Sequence, residues 1–89
     1  MAELLPFPFQ KLSQDNGVNA DDINKDGWFF FNESDYSSLN YPVGYGMFIN
    51  ISISNQQKTQ IIISVSGSSS VRLLLRYKYS GNWYKWREL

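Results

Sequence analysis

Period-two alternation in the second half of the chain limits the possible folds more than any other feature. Ile49, Ile51 and Ile53 alternate with Asn50, Ser52 and Ser54, and Ile61, Ile63 and Val65 alternate with Ile62, Ser64 and Ser66. Val71, Leu73, Leu75, Tyr77 and Tyr79 alternate with Arg72, Leu74, Arg76 and Lys78. Successive side chains of a strand point to opposite faces, so the pattern predicts three half-buried strands. The connections Asn55-Gln56-Gln57 and Gly67-Ser68-Ser69-Ser70 are short enough for hairpins, and Ser80-Gly81-Asn82 offers a third. The aliphatic phase is expected to face the core, with Ile51, Ile63 and Leu73 at its centre and Ser64 on the solvent side.

Upstream, a polar stretch from Ala20 to Asp26 has room for one helical turn. Gly27 then opens a short aromatic strand, Trp28-Phe29-Phe30-Phe31, and residues 32–44 read as loop closed by Pro42 and Gly44. Leu4-Leu5-Pro6-Phe7-Pro8-Phe9 suits neither a helix nor an interior strand, because each proline removes a backbone donor. The expected fold is mainly β: a small antiparallel β-meander or sandwich-like domain over residues 20–89. Residues 1–19 form an extended N-terminal arm or linker, and at most one short helical turn is expected.

The chain has 89 residues with no Cys and no His, so it must fold without disulfides, and the usual general base, activated nucleophile and transition-metal ligands are missing. The one carboxylate cluster, Asp21 to Asp26, lies on a single polar turn and does not span a cleft. An enzyme is not expected, and neither is a cofactor. Zero net charge argues against a nucleic-acid partner. Apolar runs fall far short of the ~20 residues that cross a bilayer. No basic-then-apolar leader opens the chain, so membrane insertion and a signal peptide are not expected.

The charges are nevertheless divided, with two basic against seven acidic side chains through residue 57 and six against one after it. This split predicts charge complementarity inside the domain or between neighbouring copies, and the contacts of a homotrimer are expected to include at least one meeting of the 21–35 region with the Arg72, Arg76 and Lys78 face.

A calcium-loop expression is satisfied by Asp22-Ile23-Asn24-Lys25-Asp26-Gly27 followed by Glu33. Asp22, Asn24, Asp26, the carbonyl of Trp28 and Glu33 would be the ligands. The flanks carry no amphipathic helix, and three consecutive Phe read better as a strand entering a core. A polar turn is the preferred reading, with no metal site, and a small calcium-binding domain is the alternative.

The order of pieces over residues 20–89 resembles the pyocin-knob type domain of phage and pyocin tail fibres. Those pieces are Asp22-Ile23, then Gly27 with its aromatic strand, a Pro-Gly loop, two Ile strands, a strand with basic residues, and Gly81-Asn82-Trp83-x-x-Trp86-x-x-Leu89. Phe stands here where that family frequently has tyrosine. The resemblance implies a virion location in a tail fibre or other surface appendage, contact with other virion proteins, homotrimeric assembly, and receptor binding to a host cell-surface glycan. It transfers no individual binding residue; Gly27, Ile23, Trp83 and Trp86 are expected to be structural.

An aromatic, Ser- and Asn-rich surface suits carbohydrate binding, because ring faces meet sugar C–H faces and short polar side chains hydrogen-bond hydroxyls. Trp28, Phe29, Phe31, Tyr77 and Tyr79 are expected to pack in the core. The ligand-binding candidates are the loop rings Tyr36, Tyr41 and Tyr45, together with Trp83 at the last turn. The competing reading is a structural fibre or capsid-decoration module without a ligand. The arm carries Leu4, Leu5, Phe7 and Phe9, apolar side chains that a three-fold neighbour is expected to cover.

Overall fold

The computed structural model describes residues 10–12, 17–65 and 70–89. Of the arm, residues 1–9 and 13–16 therefore lie outside the described residues, as do Ser66 to Ser69. The described chain is mainly β, built on one sheet. Its strands are β1 (Gln10–Lys11), β2 (Gly27–Asn32), β3 (Tyr45–Ser54), β4 (Gln57–Val65), β5 (Val71–Tyr79), β6 (Asn82–Trp83) and β7 (Arg87–Glu88). They lie in the order β1-β2-β3-β4-β5-β6, with β7 also on β5. The expected antiparallel meander is β2 to β6, and β1 joins it in parallel at the β2 edge, which makes the sheet mixed.

Two short 3-10 turns, Ala20–Asp22 and Tyr36–Leu39, are the helical elements among the described residues, one more than expected. Asn19 caps the first, its side chain accepting from the Asp21 N–H at 2.9 Å. The second ends at Asn40, whose left-handed φ of 65° lets the chain turn back toward the sheet. Gly27 is required where β1 docks, because a Cβ there would run into the Gln10 carbonyl oxygen and the Leu12 side chain.

The core lies on one face of the sheet, under the segments 17–26 and 33–44. Phe29, Phe31, Phe48, Ile62 and Leu74 rise from the strands to meet Leu12, Ala20, Ile23, Tyr41 and Val43. Phe48 is fully buried, with Phe29 stacked on it at 5.1 Å and Tyr41 edge-on at 5.6 Å between ring centroids. Each such ring pair adds about 0.5–1.5 kcal/mol beyond its buried area. Loops and 3-10 turns form the second layer where a sandwich would have another sheet.

The face assignment predicted from the alternation is inverted. Ser64 is buried and its hydroxyl donates to the Tyr45 carbonyl at 2.7 Å, whereas Leu73 is exposed and Ile51 and Ile63 are only half-buried. Tyr77, Tyr79 and Trp28 lie in the same phase, outside the core, while Phe29 and Phe31 are inside as expected.

The inward phase can be polar because the covering loops bring backbone carbonyls that need donors. Gln60 Nε2 donates to the Ala20 carbonyl at 2.8 Å, Asn50 Nδ2 to that of Lys25 at 3.1 Å, and Lys58 Nζ to that of Ile23 at 3.3 Å. Among the described residues, no buried side-chain nitrogen or oxygen lacks a partner. The outward phase is left aliphatic, in cross-strand rows such as Trp28-Ile49-Ile61-Leu75 and Phe30-Met47-Ile63-Leu73.

Candidate functional site

Tyr36 and Tyr45 come together at the mouth of a cleft of about 480 Å³, with Asn32, Glu33, Ser64 and Arg72 among its walls. The second 3-10 turn places Tyr36, and the start of β3 places Tyr45. Gly44 also lines the cleft, and a Cβ there would lie 2.9 Å from the Glu33 carbonyl oxygen and 3.1 Å from the Tyr36 ring. Arg72 grips Glu88 through two hydrogen bonds, of 2.9 Å from Nε and 2.7 Å from Nη2. That bond holds the Glu88 carboxyl below the usual carboxylate range and raises the guanidinium above its own. The cleft thus offers two exposed tyrosines, short polar groups, the Glu33 carboxylate and an arginine already paired with Glu88.

Tyr41 is placed elsewhere. It is 3% exposed, with its ring stacked 4.6 Å from Phe31 and its hydroxyl donating to the Val18 carbonyl at 2.8 Å. Burial, with Glu33 nearby, pushes its pKa up to about 12. Tyr41 is a core residue, because its loop folds under the sheet and takes the ring with it.

Trp83 is half-buried in β6 and does not line the cleft. The Arg76 guanidinium lies 3.7 Å from its ring centroid and 5.0 Å from that of Trp86. The same guanidinium donates to Gln60 Oε1 and Asp21 Oδ1, each at 2.7 Å. The Trp86 indole N–H donates to the Asn40 carbonyl at 3.0 Å, which ties the last segment to the second 3-10 turn. Trp83 therefore has one ring face occupied by an internal cation.

The five calcium-loop residues do not converge. Asn24 Oδ1 accepts from Lys58 Nζ at 2.6 Å, Asp26 Oδ1 from the Ser52 N–H at 2.7 Å, and Glu33 Oε2 from the Gly17 N–H at 2.8 Å. The Trp28 carbonyl accepts from the Leu12 N–H at 2.8 Å inside the sheet, and Asp22 is exposed at the end of the first 3-10 turn. Among the described residues no group of three or more Asp or Glu could hold a metal ion.

Acidic and basic regions meet within the chain, between Asp21 and Arg76, where the expectation had placed such a contact between copies. Arg72 pairs with Glu88, not with the 21–35 region. The sequence did not single out Asn32, Ser64 or Arg72 for the cleft, because the β2-β3-β4-β5 register, and not spacing along the chain, brings them near Tyr45.

This layered sheet with its tail of paired tryptophans has a solved counterpart. A C-terminal fragment of the P. aeruginosa R1 pyocin fibre superposes with a TM-score of 0.67 and 26% sequence identity over 90% of this chain. The domain is pyocin-fibre-like. It spans 21% of the length of that fibre fragment. No protein-family model and no curated protein sequence matches the chain. Among the described residues no helix is long and apolar enough to cross a membrane.

Proposed function

We propose that this pyocin-fibre-like domain serves in host attachment as part of a virion tail fibre or related surface appendage, assembled as a homotrimer and contacting a host-surface glycan. The fibre likeness over 90% of the chain carries this reading. The Tyr36–Tyr45 cleft supplies the ligand surface, where rings stack on sugar C–H faces while Asn32 and Ser34 exchange hydrogen bonds with hydroxyls. Residues 20–89 form the body of the knob-like unit, to which β1 adds at the β2 edge and Leu12 adds in the core. The work of the domain is binding, not catalysis. Trp83 and Tyr41 have structural roles in this reading, and the two cleft tyrosines remain as the binding pair.

The test is an array of immobilised bacterial surface glycans, followed by competition between the free domain and virion adsorption to cells. Binding that Tyr36→Ala and Tyr45→Ala both weaken about tenfold or more, without lowering the melting temperature, is the expected result. A domain that binds no arrayed glycan and does not compete for adsorption would be a structural fibre module.

A further inference from the structure

We propose that the aliphatic face of the sheet, opposite the covered core, is the surface through which copies of this chain meet. Ile53 is 81% exposed, Phe30 68% and Val71 65%, and no described side chain of the two central rows is buried. Four full strands about 4.8 Å apart, carrying side chains over roughly 25–30 Å of their length, give a footprint of about 500 Å² before side-chain relief is counted. That lies at the upper end of what a lone soluble domain leaves uncovered, and it approaches the ~800 Å² per partner of a stable interface.

The chemistry of the face selects its occupant. Its described charges sit at the two edges: Lys11, whose ammonium lies 5.8 Å from the Trp28 ring, and Arg87 beside Leu75. Between them the two central rows carry no charge, so identical copies can stack there without like-charge repulsion. Their side chains offer a sugar only the Trp28 indole N–H as a strong hydrogen-bond partner, and an acidic or basic macromolecule would find no counter-charge in them. The divided charge of the chain offered a second way to associate, through acid–base contacts between copies. That way is used in part within the chain, because Arg76 is paired with Asp21 and Arg72 with Glu88. The aliphatic face, uncharged across its two central rows, is the surface proposed for association. The assembly proposed above supplies only the number three; the contact itself follows from the sheet and holds whether or not the cleft binds a glycan.

Sedimentation equilibrium of the full 89-residue chain between about 10 and 100 μM tests this. The chain is expected to self-associate, and Ile63→Lys to weaken that association about 100-fold or more with the far-ultraviolet circular dichroism unchanged. Ile53→Lys, at a position so open that the isolated fold tolerates a charge, should weaken it about tenfold, so the test survives if Ile63→Lys fails to fold. A dimer or tetramer with these sensitivities keeps the face as the interface and removes the trimer. A wild-type monomer at 100 μM would overturn the proposal. So would an oligomer indifferent to both lysines but dissociated by serine at Leu4, Leu5, Phe7 and Phe9, because the contact would then belong to the N-terminal segment.

Discussion

Arg76 and Asp21, 55 residues apart in sequence, are joined by a 2.7 Å hydrogen bond beneath the loop layer. The pair fixes the first 3-10 turn to β5, while Gln60 Oε1 and the two tryptophan rings take up the rest of the guanidinium. Burial lowers the pKa of Arg76, and the bond to Asp21 works against that shift. Removing one partner of a buried, hydrogen-bonded charge is costly because it leaves the others desolvated and unpaired. Arg76→Ala is expected to destabilise the domain by about 3–5 kcal/mol in denaturant titrations. Arg76→Lys should recover only part of this, since an ammonium cannot serve the two acceptors and both rings in one plane.

The inverted faces predict an inverted pattern of mutational cost. Ile62→Ala and Phe48→Ala, under the loops, should each cost about 2–5 kcal/mol. Ile53→Ala, on the open face, should cost under about 1 kcal/mol of monomer stability. Ser64→Ala should cost about 1 kcal/mol through the lost bond to the Tyr45 carbonyl. Urea midpoints at concentrations low enough to keep the chain monomeric would measure all four. Equal costs at Ile53 and Ile62 would contradict the described core.

Tyr41 predicts an alkaline weakness. Its pKa rises from 10.0 to about 12 in the folded chain, chiefly through burial. The unfolded chain therefore ionises first as pH climbs. The contribution of this ring to stability is complete below pH ~10 and is lost progressively as pH rises toward 12. Melting temperatures measured from pH 8 to 12 should fall less steeply in Tyr41→Phe than in the wild type. At neutral pH that variant should be about 1 kcal/mol less stable, because the bond to the Val18 carbonyl is gone.

Gly44→Ala tests the shape of the cleft without removing any of its polar groups. The added methyl would press on the Tyr36 ring and the Glu33 carbonyl. A moved Tyr36 ring should show as changed near-ultraviolet circular dichroism and as weaker binding to any glycan that Tyr36→Ala also loses. A wild-type spectrum with full binding would mean that Tyr36 is free to sit elsewhere.

The strands themselves were legible in the sequence because alternation over nine residues in β5 leaves little else for the backbone to do. Their sidedness was not, since β4 carries Ile61, Ile62 and Ile63 in succession and β5 carries Leu73, Leu74 and Leu75, so either phase supplies apolar groups. What decides between the phases is tertiary. The carbonyls of Ala20, Ile23 and Lys25 call for donors, which Gln60, Lys58 and Asn50 provide. The large rings were no surer guide, because Phe29, Phe31 and Phe48 lie in the buried phase while Trp28, Phe30, Tyr77 and Tyr79 lie in the outward one. At the candidate site, spacing identified Tyr36 and Tyr45 as loop rings but could not show that Tyr41, between them, turns under the sheet.

The two ends of the described chain guard the sheet against unlimited growth. An unpaired strand edge is a template on which another chain can continue the ladder, and repeated addition leads to amyloid-like fibrils. Along β5, the Tyr84 N–H binds the Tyr77 carbonyl at 2.9 Å and the Leu89 N–H binds that of Leu73 at 2.8 Å, flanking the β6 and β7 pairings, while β1 occupies the start of β2. With β5 stitched along its outer edge and the start of β2 covered, continuation of the ladder is hindered at those places, and the association proposed above would run through side chains on a face and not through a growing backbone ladder.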